Sequence, residues 1–258
     1  MDLKLAGTRA LVTAASRGLG RACAAALANE GARVFICARD ASSLAITASS
    51  IKAAGHKVAD VSKADDVTAL VETVVAELGG LDILITNAGG PPPGSFGSVS
   101  WPQWDGSYAL TLMSVARLIR ECLPHLTRSD RGRIVNITSI SARQPLENLL
   151  LSNVFRPAVT GLAKTLSLEL APHRITVNNI APEAILTDRV RQVAKVAAER
   201  AGQQLDEFLE GYSRSIPLGR LGDAEEVGAL CAFLCSVQAS YITGQTIGID
   251  GGQLKGLH

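Results

Sequence analysis

Residues 12–40 read VTAASRGLGRACAAALANEGARVFICARD. The apolar run RALVT (9–13) leads into a turn bearing Gly18 and Gly20, then an Ala-rich amphipathic stretch, then a second apolar run, RVFIC (33–37). Strand, Gly-bearing turn, helix and strand within this length make one βαβ unit. Gly18 and Gly20 allow the backbone to approach a pyrophosphate at a helix N-terminus, where unpaired N–H groups and the helix dipole favour negative charge. An acidic residue at the end of the second strand would bind a ribose 2′-hydroxyl, but Ala38-Arg39 stand there and Arg17 lies inside the turn. Two guanidiniums near one ribose favour NADP(H) over NAD(H), because arginine grips phosphate through paired hydrogen bonds.

The same alternation continues along the chain. Further strands are expected at KVA (57–59), DILIT (82–86), RIVNIT (133–138), ITVNNI (175–180) and QTIGI (245–249). Helices are expected at 18–30, 42–54, 65–78, 102–126, about 153–171, 188–212 and 223–236. Alternating βα units call for a doubly wound α/β Rossmann fold, a seven-stranded and mostly parallel sheet flanked by helices on both faces. The 258 residues contain 47% hydrophobic letters, enough for one large core, and are expected to form a single domain, 1–258.

Charge and cysteine content narrow the function. Lys plus Arg number 25 against 24 Asp plus Glu, which argues against a nucleic-acid partner or a polybasic membrane arm. No signal-peptide core or membrane-length apolar run occurs, so a cytoplasmic location is expected. The five cysteines, Cys23, Cys37, Cys122, Cys231 and Cys235, sit mostly in apolar segments and are expected to be buried thiols. Cys231 and Cys235 lie one helical turn apart with no histidine or second cysteine pair beside them, so no metal site is expected.

Several ordered motifs together resemble the short-chain dehydrogenase/reductase family, especially its 3-oxoacyl-acyl-carrier-protein-reductase-like branch, over essentially the whole chain. TAASRGLG (13–20) resembles TGxxxGxG, with Ala14 in place of the first glycine. Asp60-Val61 resembles the family's DV, TNAG (86–89) its NNAG, and GRIVNITS (132–139) the strand ending in its catalytic serine. ITVNNIAPEAILTD (175–188) resembles VNxIxPGxxxTD with Glu183 replacing glycine, and residues 216–236 with YITGQTIGIDGG resemble the C-terminal signature.

This resemblance implies a set of site residues. Thr13, Ser16, Arg17, Gly18, Leu19 and Gly20 would surround the pyrophosphate, and Arg39 would meet the 2′-phosphate. Asp60 and Val61 would meet the adenine, and Asn87, Ala88 and Gly89 the adenosine ribose side. Pro182, Ile185 and Thr187 would flank the nicotinamide. The segment 188–212 would cover a small carbonyl or alcohol substrate, and the helices at 102–126 and 153–171 would support a homotetramer or homodimer. Two departures bear on binding. Ala14 puts a methyl where the turn is tightest, and GHKVADVS (55–62) is several residues shorter than the family norm.

The catalytic group departs further. In the family a tyrosine carries the proton, a lysine four residues on lowers its pKa, a serine orients the carbonyl, and an asparagine supports a relay water. Ser139 matches the serine, but the tyrosine position is Ser152, the lysine position Arg156 and the asparagine position Thr111. A phenol titrates near ~10 and an aliphatic alcohol near bulk water's ~15.7, so Ser152 is a poorer proton carrier by roughly 7 kcal/mol. Arg156 stays protonated and cannot act as a base. Tyr108, Tyr212, Tyr241, Glu147 and Glu183 are the remaining candidates for the acid. Phe96, Trp101 and Trp104 suggest a partly apolar substrate region, with the two tryptophans read as core residues. Two functions are consistent with this reading. One is an NADP(H)-dependent oxidoreductase with non-standard acid–base residues. The other is a catalytically impaired relative that binds NADP(H) as a sensor or assembly partner.

Overall fold

The structure, a computed structural model, describes residues 2–256; the side chains at positions 189, 192, 193, 196 and 200 lie outside that description. Strand β1 (Arg9–Val12) passes through helix α1 (Gly18–Asn29) to β2 (Arg33–Ala38), α2 (Ala41–Ser50) and β3 (Gly55–Val58). After α3 (Ala64–Leu78), the chain returns to β4 (Ile83–Thr86) on the other side of β1, then runs through α4 (Trp101–Ser107) and α5 (Ser114–Leu126) to β5 (Arg133–Ile137). Helix α6 (Leu150–Glu169) leads to β6 (Thr176–Pro182) and the short β7 (Ile185–Leu186). Helices α7 (Asp188–Ala201) and α8 (Leu205–Arg214) follow, then β8 (Gly222–Asp223), α9 (Ala224–Cys235) and β9 (Thr246–Ile249).

The main sheet has seven strands in the order β3-β2-β1-β4-β5-β6-β9, with every neighbouring pair parallel. It is the doubly wound fold that the alternating pattern calls for, and β7 and β8 form a separate two-stranded piece. Period-two alternation buries both faces. Val12, Ile36, Ile85, Val135 and Ile180 pack on the side of α1 and α9, and Leu11, Phe35, Leu84, Ile134 and Val177 on the side of α3 and α5. A polar chain ties four adjacent strands together. Thr86 Oγ1 donates to Asn136 Oδ1 at 2.7 Å, Asn136 Nδ2 to Asn179 Oδ1 at 2.9 Å, and Asn179 Nδ2 to Thr246 Oγ1 at 3.0 Å. Each amide finds its partner only in this register.

Three helical expectations change. The stretch 102–126 is broken at Tyr108–Met113 by a π-turn, beside which Ser114 Oγ bonds to the Leu110 carbonyl at 2.5 Å. The segment 188–212 is two helices, because Gly202 at φ +66° ends α7 in the left-handed conformation. Helix α6 begins at Leu150, so Ser152 lies within its first turn, and no side chain caps it. Asn153 instead clasps the preceding turn, accepting from Leu146 N at 3.0 Å and donating to Leu146 O at 2.8 Å. Pro157 sits inside the helix, where it removes the hydrogen bond that would reach back to Asn153. Trp101 is also no core residue. It is 79% exposed on the first turn of α4, as Phe96 is 75% exposed on the loop before it.

All five cysteines are buried with free thiols, and burial pushes the Cys37 thiol up to about 12, far from the thiolate form at neutral pH. No helix among the described residues is long and apolar enough to cross a membrane.

Candidate active site

Strand order reverses between β1 and β4, and a crevice opens at their carboxyl ends. Thr13 locks its rim: its Oγ1 donates to Asn87 O at 2.7 Å and accepts from Asn87 N at 2.9 Å, while Asn87 Nδ2 donates to Ala14 O at 3.2 Å. The turn between β1 and α1 is as tight as the spacing implied. A Cβ built on Gly20 would lie 2.4 Å from Ala14 O and 2.7 Å from Asn87 Nδ2, so only glycine fits. Gly18 takes φ +57° and Ala14 φ +47°. Ala14 therefore adopts the left-handed conformation despite its methyl, at a cost of about 1 kcal/mol. Ala14→Gly is expected to raise thermal stability by up to that amount, which differential scanning calorimetry measures, and an unchanged or lower midpoint would contradict the strain.

Behind this rim is a cavity of about 650 Å³, a size suited to a cofactor. Ser16, Arg17, Gly18, Leu19, Arg39, Asp60, Val61, Asn87, Ala88, Gly89, Arg156 and Thr187 all line it. The crevice thus brings together most of the residues named from the motifs. Its lining also includes Asp40, Gly90, Leu110, Ile137, Thr138 and Asp188, which the motifs did not single out. Helix α1 opens onto the cavity with Arg17 as its N-cap and no capping side chain on its first N–H groups. A phosphate group suits such a terminus.

Charge at the outer end is divided unequally. Asp40 Oδ1 accepts from Ser43 N at 2.8 Å and Ser42 Oγ at 2.9 Å, capping α2. These bonds, with Arg17 nearby, hold its carboxyl at about 2. Burial pushes the Asp60 carboxyl up, but hydrogen bonds from Ser62 Oγ at 2.7 Å and Ser62 N at 3.0 Å, with Arg39 nearby, leave it below the usual range. Both carboxylates therefore accept bonds within their own turns, while Arg17 and Arg39 are exposed on the cavity wall.

The inner end is formed by Ile137, Thr138, Arg156 and Thr187. Arg156 is buried, and its Nη1 donates to Ile137 O at 2.8 Å. One helical turn earlier, Ser152 Oγ shares a 2.8 Å hydrogen bond with Ser141 Oγ, and Ser141 N donates to Ser139 Oγ at 3.2 Å. Ser141 and Ser152 thus share a hydroxyl pair with Ser139 tied to the same turn, and none of the three is on the cavity wall. Thr111 lies in the π-turn, 2% exposed, and no partner is recorded for its Oγ1 among the described residues. Thr187 caps α7 by accepting from Val190 N at 3.3 Å.

Pro182 and Ile185 are not on the wall of this cavity. Pro182 is paired with Ile249 in the sheet, and Ile185 lines a smaller cavity of about 80 Å³ with Glu183, Asp250 and Arg220. The five candidate acids are likewise elsewhere. Tyr108 packs against Phe155 at 6.0 Å between ring centroids, Tyr241 and Glu147 are exposed, and Glu183 faces the smaller cavity. Tyr212 Oη donates to Glu183 Oε1 at 3.5 Å, a pairing across 29 positions that no local sequence signal announces.

Burial raises the Glu183 carboxyl above its ordinary 4.5 by more than the hydrogen bond from Tyr212 lowers it, and the Asp250 carboxylate adds to the rise. The folded state thus favours protonated Glu183. Its contribution to stability is complete below pH 4.5 and is lost as pH climbs through the raised folded value. Glu183→Gln is expected to flatten that decline in a melting series taken upward from about pH 4. A variant whose pH profile overlays that of the parent would show that the carboxyl is solvated.

Comparison with known proteins agrees with this architecture. Residues 13–253 match the sequence family described as enoyl-(acyl carrier protein) reductase. The chain is 34% identical over 248 residues to the short-chain reductase protein NovJ of Streptomyces niveus, covering 95% of this chain and 93% of that one. It superposes on L-sorbose reductase from Gluconobacter frateurii, solved with NADPH and L-sorbose, with a TM-score of 0.96, 33% identity and full coverage of both chains. It also superposes on a short chain oxidoreductase from Pseudomonas aeruginosa PAO1, solved with NADPH and described as containing an atypical catalytic center. There the TM-score is 0.88 with 30% identity, covering 96% of each chain.

Proposed function

Since the chain belongs to the short-chain dehydrogenase/reductase family, we propose that it is an NADP(H)-dependent oxidoreductase with non-standard acid–base residues, acting on a small carbonyl or alcohol. The observation that carries this reading is the switch-point cavity, walled by Arg17 and Arg39 and closed by a turn in which Gly20 has no room for a side chain. Three similar proteins point the same way. The sorbose reductase and the Pseudomonas oxidoreductase were solved with NADPH, and a Bacillus subtilis relative, 30% identical over 254 residues, is named an NADPH-dependent reductase.

In this reading Thr13, Ser16, Gly18, Leu19 and Gly20 with the α1 N-terminus take the pyrophosphate. Arg17 and Arg39 take the 2′-phosphate, Asp60 and Val61 the adenine, and Asn87, Ala88 and Gly89 the adjoining ribose. Thr187 takes the nicotinamide, with Arg156 beside it. A bound nicotinamide supplies or accepts a hydride there. Ser139, Ser141 and Ser152 orient the reacting oxygen through hydrogen bonds, and Thr111 supports the same wall from the π-turn. Helices α7 and α8 cover the substrate as a lid, and the chain acts as a single Rossmann unit within a homodimer or homotetramer.

The alternative, a binder that has lost turnover, draws on Ser152 and Arg156, neither of which transfers a proton well at neutral pH. A screen of ketones with NADPH and of alcohols with NADP separates the two. Cofactor oxidation or reduction above the uncatalysed rate supports the oxidoreductase. Tight NADPH binding with no turnover on any substrate supports the binder.

A further inference from the structure

The segment that carries α7 and α8 leaves the main domain and returns to it at one point. Strands β7 and β8 pair in parallel, Ile185 with Gly222 and Leu186 with Asp223, so residues 187–221 form a lid on a two-stranded hinge. Gly222 N donates to the Ala184 carbonyl at 3.0 Å, and a Cβ on Gly222 would lie 2.6 Å from Ile185 Cδ1, so the two ends pack without slack. The entering end carries Thr187, on the wall of the large cavity, and a Cβ built on Gly18 would meet its Cγ2 at 3.7 Å. Asp188, the first residue of α7, lines the same cavity, so a swing about the hinge opens or shuts its mouth.

Tyr212, in the last turn of α8, fastens this lid to the main domain. Its Oη donates to Glu183 Oε1 at 3.5 Å, directly after β6, and Gln253 lies beside the same hydroxyl. Glu183 is fixed in turn by its own N, which donates to the Ile249 carbonyl at 3.1 Å, and Ala184 beside it takes φ +53°. The other charged groups around Glu183 are committed elsewhere. Asp250, after β9, accepts from Gly252 N at 3.0 Å and Leu254 N at 2.7 Å, while Arg220, before β8, donates to Glu226 of α9 at 2.8 and 2.7 Å. Among the described residues of this small cavity the cation is thus already paired, and an ionised Glu183 would face the Asp250 carboxylate.

On the reading above of α7 and α8 as a substrate lid, we propose that Glu183 is a proton-operated latch: its neutral carboxyl holds Tyr212 and keeps the lid closed, and its ionised form releases it. In the closed position Tyr212 and Ile216 lie against the Glu183 pocket, and opening admits water. Burial, with Asp250 adding to it, favours the neutral carboxyl while the lid is closed. The hydrogen bond from Tyr212 acts in the opposite sense but is the smaller effect, so burial sets the direction. Burial and Glu183 both raise the Tyr212 phenol, which therefore remains the donor. By linkage the closed state binds the proton more tightly. Its support for closure is complete below pH 4.5 and is lost as pH climbs through the raised closed-state value.

Hydrogen–deuterium exchange of the cofactor-free protein tests this, with protection of the α7 and α8 amides corrected for intrinsic rate and referenced to β4 and β5 in the same sample. From pH 4.5 to about pH 8, lid protection in the parent is expected to fall at least about fivefold relative to the sheet, the low end of ordinary coupling between sites. Glu183→Gln keeps an acceptor for Tyr212 and cannot ionise, so its lid should stay protected across the range. Tyr212→Phe keeps the ring and loses the bond, so its lid should be less protected than the parent's at pH 4.5. A parent lid whose protection does not change with pH overturns the latch, as does a Glu183→Gln lid that loses protection as the parent's does. NADPH fluorescence titration addresses the underlying reading separately. Absence of binding there, with the exchange results as expected, would sink the oxidoreductase and leave the latch standing.

Discussion

The double change Ser152→Tyr with Arg156→Lys is expected to raise kcat/KM for simple ketones by about 10²–10⁴, the usual contribution of a positioned general acid. The phenol would supply a proton near ~10 instead of an alcohol near ~15.7. A lysine one turn later on α6 keeps a cation beside it. The single changes should give far less. Tyrosine alone gains an acid but leaves Arg156 anchored on the Ile137 carbonyl, and lysine alone gains no acid at all. Steady-state NADPH oxidation with cyclohexanone measures the effect. A double variant that folds, binds NADPH and still leaves the ketone untouched would mean that the nicotinamide end is not shaped for a carbonyl.

The second large effect is at the turn. Gly20→Ala would drive a methyl to 2.4 Å from the Ala14 carbonyl, in a backbone that Asn87 Nδ2 already clamps at 3.2 Å. The turn must open to accept it. The expected result is at least a ~10²-fold loss of NADPH affinity by fluorescence titration, with a stability cost of about 1–3 kcal/mol by denaturant melt. Gly18→Ala is a useful contrast. At φ +57° with its nearest neighbour 3.7 Å away, it meets backbone strain but no clash, and its effect should be smaller. Equal affinity in Gly20→Ala and the parent would remove the turn from the binding account.

How much of this was legible in the sequence depends on whether the signal was local. Short apolar runs bounded by glycine and charge located the strands of the main sheet within a residue or two, because a strand buried on both faces has no alternative to continuous apolar letters. The turn at 13–20 and the arginines at 17 and 39 were likewise legible, since phosphate recognition needs backbone freedom and positive charge at fixed offsets. Helix interruptions were not. The π-turn at Tyr108–Met113 and the break at Gly202 leave the amphipathic period nearly intact, so the letters look continuous across them. Trp101 looked like core because aromatic letters usually are, yet it sits at a helix start where it is 79% exposed.

Around the site, what escaped sequence reading is tertiary. Ser141 has no motif of its own and matters only because the turn after β5 lays it against Ser152. Glu183 and Tyr212 were visible as single departures, but not as partners. Asp40 follows Arg39 directly and would oppose a 2′-phosphate, yet its role as the cap of α2 commits its carboxylate to Ser42 and Ser43.

The most direct measurement is a calorimetric titration of the purified protein with NADPH and, separately, with NADH. The cavity wall of Arg17 and Arg39 predicts saturable one-site binding of NADPH, at least about tenfold tighter than NADH, with a preference that weakens as salt rises. No heat of binding with NADPH, or tighter binding of NADH, would contradict the account at its centre.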